Sequence, residues 1–377
     1  VTGLPLGATI GIVGGGQLGR MTAMAAARLG FRCHILTPEP DSPAAQVAAA
    51  VTVGDYEDQA VLRAFAASVD VITFEFENVS AEGLDLLASF RPVRPSPAVL
   101  RVSQYRIAEK SFLNAAGVPT AAWRAVTSEA ELHTAVAALG LPAVLKTTRF
   151  GYDGKGQALL RTPEDVLPAY QALSPKPLIL EAFVDFAAEI SVVVARGADG
   201  GLATFDTVQN YHRDHILDLT LAPAPLPVAV TQAAQEMARR VAVALDLVGL
   251  LALEMFVAAD GRVLANEIAP RPHNSGHWTL DACPANQFDL HVRAVAGLQL
   301  PPAVRHSDAV MKNLVGPEDM ALLPYVLATE GLIPHLYGKA EARPGRKMGH
   351  VNRLFPRGAL PGRFGIADAL GPLAPLF

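Results

Sequence analysis

Cysteine is scarce in this chain: Cys33 and Cys283 are the only two among 377 residues. Two isolated thiols build neither a disulfide framework nor a zinc ligand set, so both are expected to be structural, Cys33 within an apolar strand-like run. Positive charge is not in excess either. The 31 Lys and Arg against 36 Asp and Glu leave a formal net charge of -5, which gives no general drive towards nucleic acid or an anionic membrane. Small-molecule partners are expected, with no nucleic acid and no membrane. No uninterrupted apolar segment reaches membrane-spanning length, and the start Val1-Thr2-Gly3-Leu4 lacks the basic and apolar regions of a signal peptide. A cytoplasmic location is the expectation. Internal repeats and low-complexity tracts are not seen.

What is present is a globular composition, 51% hydrophobic and 18% charged, at a length that suits two or three domains. Residues 9–13, 32–36 and 71–74 read as strands, alternating with helical runs at 17–29 and 60–67. That rhythm predicts βαβ units and a parallel sheet. The Pro-rich Arg91-Pro92-Val93-Arg94-Pro95-Ser96-Pro97 reads as a linker that closes this unit. A helix over 104–116, stopped by Gly117-Val118-Pro119, opens a second unit with strands at 143–146 and 178–181. Strands at 190–195, 250–257 and 262–266, with an amphipathic helix over 232–245, predict a larger third sheet. The expected divisions are 1–101, 102–178 and 179–377, the last including a small β-rich extension from about 301.

Several motifs carry chemistry. Gly11-Ile12-Val13-Gly14-Gly15-Gly16-Gln17-Leu18-Gly19-Arg20 follows a strand and opens a helix, a place where backbone N–H groups hold a phosphate. With Glu39 after the second strand it also admits a dinucleotide reading, and a tight turn without ligand is the third alternative. In Thr73-Phe74-Glu75-Phe76-Glu77-Asn78 the two acids alternate at strand period, on one face of a parallel strand's end. The loop Phe150-Gly151-Tyr152-Asp153-Gly154-Lys155-Gly156-Gln157 sets three glycines around a lysine, so its backbone can close over phosphates while the cation neutralises them. Lys146 adds a second cation one strand end upstream. The loop lacks the Gly-Lys-Ser/Thr of a P-loop and reads as a flexible lid, with a plain Gly-rich hairpin as the alternative. Glu254 and Asn266-Glu267 close two apolar runs; buried carboxylates there need a positive partner, Mg²⁺ on nucleotide phosphates or an arginine. Pro270-Arg271-Pro272-His273-Asn274-Ser275-Gly276-His277 is a stiff loop able to hold an anion beside that metal. His277, His291 and His306 read as surface histidines.

Taken together, in this order and spacing, these segments and Lys347-Met348-Gly349-His350 resemble the N5-carboxyaminoimidazole ribonucleotide synthetases, ATP-grasp enzymes of purine biosynthesis. The resemblance spans nearly the whole chain. It implies an α/β and α+β ATP-grasp fold: an N-terminal Rossmann-like (pre-ATP-grasp) domain, a small lid domain and a C-terminal catalytic domain. It implies a ligase that consumes ATP, with Mg²⁺, to carboxylate 5-aminoimidazole ribonucleotide with bicarbonate through carboxyphosphate, releasing ADP and phosphate, in a homodimer. By the same resemblance Gly15, Gly16, Gln17 and Leu18 receive the ribotide phosphate, and Glu75 faces the same substrate. Arg106, Lys146 and Gly151, Tyr152, Asp153, Gly154, Lys155, Gly156 and Gln157 contact the nucleotide phosphates. Glu181, Ala182, Phe183 and Val184 line the adenine, Glu189 takes the ribose hydroxyls, His212 and Asn266 lie near the nucleotide, and Glu254 and Glu267 hold magnesium. Tyr152, Asp153, Arg271, His273, Asn274, Ser275, Arg346 and Lys347 face the ribotide or the carboxylating intermediate, with Asp153 orienting the amine or taking its proton. Lys155 stands where arginine is frequent, and His215 where glycine is common, which leaves the loop shape near His212 open. The rivals are a ribotide ligase that activates formate, a nicotinamide oxidoreductase built on the first glycine motif and Glu39, and a catalytically silent nucleotide-binding regulator.

Overall fold

The apolar strand β1, Thr9–Val13, runs between two parallel neighbours. They are β2 (Arg32–Thr37) and β4 (Val71–Phe74), and β3 (Ala50–Val53) lies outside β2. The chain is described from a computed structural model over residues 3–149 and 156–374. Near-continuous apolar strands are the mark of a parallel sheet covered on both faces. Helices α1 (Gln17–Arg28) and α2 (Gln59–Ala67) supply crossovers, and α3 (Ala81–Ala88) follows β4. Ile10, Ile12 and Ile35 pack with Met21 of α1 and with Phe288 and Val292 of the distant helix Gln287–Ala296. The N-terminal sheet is thereby fastened to the rest of the chain.

The expected linker is partly helix. Ser96 precedes Pro97, which starts helix α4 (Pro97–Gln104) at its first position, where the missing N–H costs nothing. Tyr105, at φ -126 and ψ 105, separates it from α5 (Arg106–Ala115), so the helix expected from 104 begins two residues later.

The second sheet is small and antiparallel, in the order β5-β8-β6-β7: β5 Trp123–Val126, β6 Ala143–Thr147, β7 Gln157–Leu160 and β8 Leu178–Ala182. Helices α6 (Glu129–Leu139) and α7 (Val166–Leu173) bury its apolar face around Leu132, Leu145, Val166 and Leu180. The division expected at 178/179 falls inside β8. Pairing of Ala143 to Thr147 with Ala182 to Leu178 puts that whole strand in the small sheet.

The third sheet has nine strands among the described residues. These are β9 Phe186–Arg196, β10 Leu202–Thr204, β11 Val208–Arg213, β12 Ile216–Ala222, β13 Gly249–Ala258, β14 Val263–Ala269, β15 Ser307–Val315, β16 Leu332–Leu336 and β17 Lys347–Pro356. Its main order is β14-β13-β9-β11-β12-β15-β17-β16, with β10 beside β9. Helix α8 (Val228–Ala244) packs Met237, Ala238 and Val241 against one face. Trp278 and Leu290 pack against the other. Pairing of β12 with β15 carries the sheet into the segment after residue 301. The turn between β11 and β12 consists of Asp214 and His215, at φ 51 and 64. His215 takes the left-handed conformation that a glycine accepts without strain. Among the described residues no helix is long and apolar enough to cross a membrane.

Candidate active site

Two strands of the large sheet bring the expected metal carboxylates together. Glu254 on β13 and Glu267 on β14 are direct cross-strand partners, followed by a register slip that leaves Asn266 as an extra residue. Opposed side chains of an antiparallel pair have Cβ atoms about 5 Å apart, and two full charges ~4 Å apart repel by about 4 kcal/mol at an effective dielectric of 20. The protein answers that repulsion in part. His273 Nε2 lies 2.7 Å from Glu254 Oε1; burial pushes the Glu254 carboxyl up, yet His273, His212 and Arg271 hold it low, at about 2. Arg106 reaches Glu267 at 3.5 Å. Burial and Glu254 nevertheless raise the Glu267 carboxyl. An oxygen-only pair with surplus negative charge fits a hard divalent cation.

The small sheet faces this pair with cations. Lys146 Nζ on β6 is 3.0 Å from Glu181 Oε2 on β8, and Lys110 Nζ from α5 reaches the same oxygen at 3.2 Å. Burial works against the charged form of Glu181, but the two ammonium groups hold its carboxyl down at about 2. Burial lowers Lys146, with Glu181 opposing. The other Glu181 oxygen, Oε1, is buried without a protein partner among the described residues. Ala182 N–H donates to Ala122 and Phe183 N–H to Pro142, so those two amides are committed within the protein. The Phe183 ring is exposed. On β9, Glu189 Oε2 holds His212 Nδ1 at 2.7 Å; burial lowers that imidazole, but Glu189 and Glu254 raise it overall.

The stiff loop after β14 lies on the other side of Glu254. Arg271 pairs with Glu77 at 2.7 Å. Both side-chain ends of Asn274, with Asn266 Oδ1 and Arg271 Nε, are buried and lack protein partners among the described residues. An unmet buried polar atom costs about 1–3 kcal/mol, so these atoms, on residues close in sequence to Glu267, fit a polar ligand. Ser275 is fully buried, 2.8 Å from His273 Nδ1 and 2.6 Å from Ser191 Oγ, and so steadies the His273 ring.

The N-terminal sheet adds the third wall. β4 ends at Phe74, so Glu75 and Glu77 lie just past the strand, Glu77 paired with Arg271 and Glu75 within reach of the same charge. Glu75 turns inward and accepts hydrogen bonds from Gly16 N–H and, at 2.8 Å, from Gly19 N–H. Two amides of the glycine turn are thus already engaged by a carboxylate of the chain itself, at the helix end that favours an anion. Leu18 belongs to the apolar core and can offer only its backbone. Burial raises the Glu75 carboxyl, with Arg271 and Lys339 opposing. Lys339, which the motif reading missed, donates to Lys347 C=O at 2.7 Å and faces the Tyr337 ring. Burial, then Arg346 and Lys347, bring its ammonium down to about 8. Arg346 donates to Glu341 C=O. Gly156 at φ 72 and Gln157 at the start of β7 flank the glycine-rich loop; Gly151, Tyr152, Asp153, Gly154 and Lys155 lie outside the described residues.

Two histidines read as surface groups are buried. His277 takes a hydrogen bond with Gln287 Nε2 and stacks on His350, and His291 lies 3.0 Å from Thr73 Oγ1. His306 is exposed. Cys33 and Cys283 are buried thiols pushed up to about 12 by burial, as expected of structural cysteines. Glu109 and Lys110 were also missed. With Arg106 their i, i+3, i+4 spacing puts three charges on one helix face, a signal the sequence does contain.

A large antiparallel sheet carrying paired carboxylates, opposed by a small antiparallel sheet carrying Lys146, defines an ATP-grasp ligase. Residues 111–288 match the ATP-grasp domain, 7–104 the ribonucleotide synthetase preATP-grasp domain and 309–358 the phosphoribosylaminoimidazole carboxylase C-terminal domain. The chain is 51% identical over 358 residues to an N5-carboxyaminoimidazole ribonucleotide synthase of Brucella melitensis, covering 94% of this chain and 99% of that one. The Pseudomonas aeruginosa enzyme of the same name is 44% identical over 362 residues, at 96% and 99% coverage. A solved synthase of Aspergillus clavatus, in complex with ADP and 5-aminoimidazole ribonucleotide, superposes with a TM-score of 0.90 at 32% identity, covering 97% of each chain. The chain belongs to the N5-carboxyaminoimidazole ribonucleotide synthase family.

Proposed function

We propose that this chain carboxylates the exocyclic amine of 5-aminoimidazole ribonucleotide with bicarbonate at the expense of ATP. The observation that carries the reading is the Glu254–Glu267 rung, set opposite Lys146 and Glu181 on one side and bordered by Arg271, Lys339 and Lys347 on the other. A bicarbonate oxygen attacks the γ-phosphorus, and the bond to the β–γ bridging oxygen breaks to release ADP. The amine then attacks the carboxyl carbon, either within carboxyphosphate, whose C–O bond to phosphate breaks in the same exchange, or in the CO₂ set free when that bond breaks first; phosphate leaves and the amine nitrogen gives up one proton.

Phosphoryl transfer demands positioning and charge neutralisation more than covalent help. Mg²⁺ held by Glu254 and Glu267 would supply neutralisation of the phosphate oxygens. Lys146 and Lys155 would bind those phosphates, and Arg106, with Asn266 beside it, would complete that wall. Glu181, Ala182, Phe183 and Val184 would border the base, and Glu189 with His212 the ribose. Arg271, His273 and Asn274 would hold the anionic carboxyl group, His273 being fixed by Glu254 and Ser275. Glu75 with the glycine turn, and Lys339, Arg346 and Lys347, would grip the ribotide, the cations matching its phosphate. Gly15 and Gln17 would supply the amides still available there. Asp153 would orient the amine and accept its proton. Closure of the loop at 150–157 would keep water from carboxyphosphate.

This reading includes a cytoplasmic homodimer acting on small molecules alone, and sedimentation would show its mass. The reaction is tested by incubating the chain with ATP, Mg²⁺, bicarbonate and the ribotide, omitting each in turn and following ADP. Dependence on all four is expected. ADP release with formate in place of bicarbonate would select the formate ligase instead.

A further inference from the structure

β14 is an outer strand of the nine-stranded sheet; on its open side Ala265 N–H donates to Pro119 C=O and Thr120 bridges Ala265, and past that bridge residues 266–268 have no further strand beside them among the described residues. Helix α5 takes that place. Glu109 Oε1 accepts from Ile268 N–H at 2.6 Å, Lys110 Nζ donates to Asn266 C=O at 2.9 Å, and Arg106 meets the Glu267 carboxylate between them. Side chains at i, i+3 and i+4 on one helix face thus hold three consecutive residues of β14. They do so at the register slip, where Asn266 has no counterpart on β13 and the ladder alone fixes the backbone least. Glu109 and Lys110 are almost wholly buried, and Lys110 also reaches Glu181 on the small sheet.

We infer that Glu109 and Lys110 are positioning residues for phosphoryl transfer: they replace the missing strand at the bulge and so fix the direction in which Glu267 presents its carboxylate. Lys110 additionally ties that direction to the opposite wall of the nucleotide cleft. The inference rests on the reading of Glu267 as a metal ligand. Glu109 acts by reach rather than by charge, since its role is to accept one backbone N–H at a fixed distance. An amide at this position offers Ile268 N–H the same acceptor at the same reach.

The test is a pair of conservative variants in the full chain, E109Q and E109D, with Mn²⁺ binding in the presence of ADP read by electron paramagnetic resonance. ADP binding in EDTA is read by calorimetry. E109Q keeps the reach and loses the charge; E109D keeps the charge and withdraws the acceptor by one methylene. Positioning predicts Mn²⁺ affinity within ~3-fold of the parent for E109Q and a loss of ~10-fold or more for E109D, the scale of a lost outer partner to a metal ligand. Metal-free ADP binding should stay near the parent in both. The reverse order, or parent-like Mn²⁺ binding in both variants, overturns the inference while leaving the Glu267 reading intact. A parent chain that binds ADP but no Mn²⁺ removes Glu267 from the metal and this inference with it. K110R should retain more of the Mn²⁺ affinity than K110M, and equal losses would count against Lys110.

Discussion

Glu254 and Glu267 face each other across the β13–β14 rung, one carboxyl held low by His273 and the other raised by its neighbour. The asymmetry identifies Glu267 as the carboxylate with more to gain from a cation. Removing its charge should therefore abolish Mg²⁺-dependent ADP release. In E267Q we expect a fall in turnover beyond the ~10–100-fold typical of a lost outer partner, with a folded far-ultraviolet spectrum. Normal magnesium dependence would remove the assignment.

Asp153 is two residues before Lys155 in the sequence of the glycine-rich motif. D153N is expected to bind ATP nearly as the parent does and to turn over at least ~100-fold more slowly, the usual scale of a lost acid–base or orienting group. A coupled ADP assay with a nucleotide-binding titration separates the two effects, and unchanged turnover would rule the role out.

Lys339 gives a pH dependence. Its ammonium loses its proton at about 8 instead of near 10.5, because burial and then Arg346 and Lys347 disfavour the charge. The folded state thus carries a penalty that is present below pH 8 and fades as pH rises towards the unfolded value. For a phosphate ligand the sign is opposite: affinity is lost as the proton leaves. KM for the ribotide should climb between pH 8 and 9 in the parent and stay flat in K339R, whose guanidinium remains charged. Parallel profiles would show that Lys339 does not meet the phosphate.

Gly16 has no room for a side chain. A Cβ there would lie 2.5 Å from Glu75 Oε1 and 2.9 Å from Oε2, and the carboxylate cannot retreat without giving up both amide bonds. G16A should cost about 1–3 kcal/mol, as overpacking does, seen as a lower first transition in scanning calorimetry. An unshifted transition would mean that Glu75 moves aside freely.

Strands β1, β2 and β4 were legible within a residue or so because apolar β-rich runs between helical runs admit few other readings. Helix α4 was not, since Pro97 reads as a breaker unless Ser96 is recognised as the residue before a first helical turn. The candidate metal rung was readable from two acids closing apolar runs, although only pairing shows them opposite each other. What local pattern could not give is long-range occupancy: Glu75 fills amides 59 and 56 residues away, and Thr73 and Gln287 make buried groups of His291 and His277. The burial of Ser275 was hidden for the same reason, because its partner Ser191 lies 84 residues earlier.

The run of hydrogen-bonded strands from β14 to β17 has a mechanical corollary. Glu267 at one margin and Lys347 towards the other are marks on a single ruler, whose length is set by strand spacing. That distance belongs to the large sheet alone, so the spacing between Glu267 on β14 and Lys347 on β17 does not depend on the small sheet.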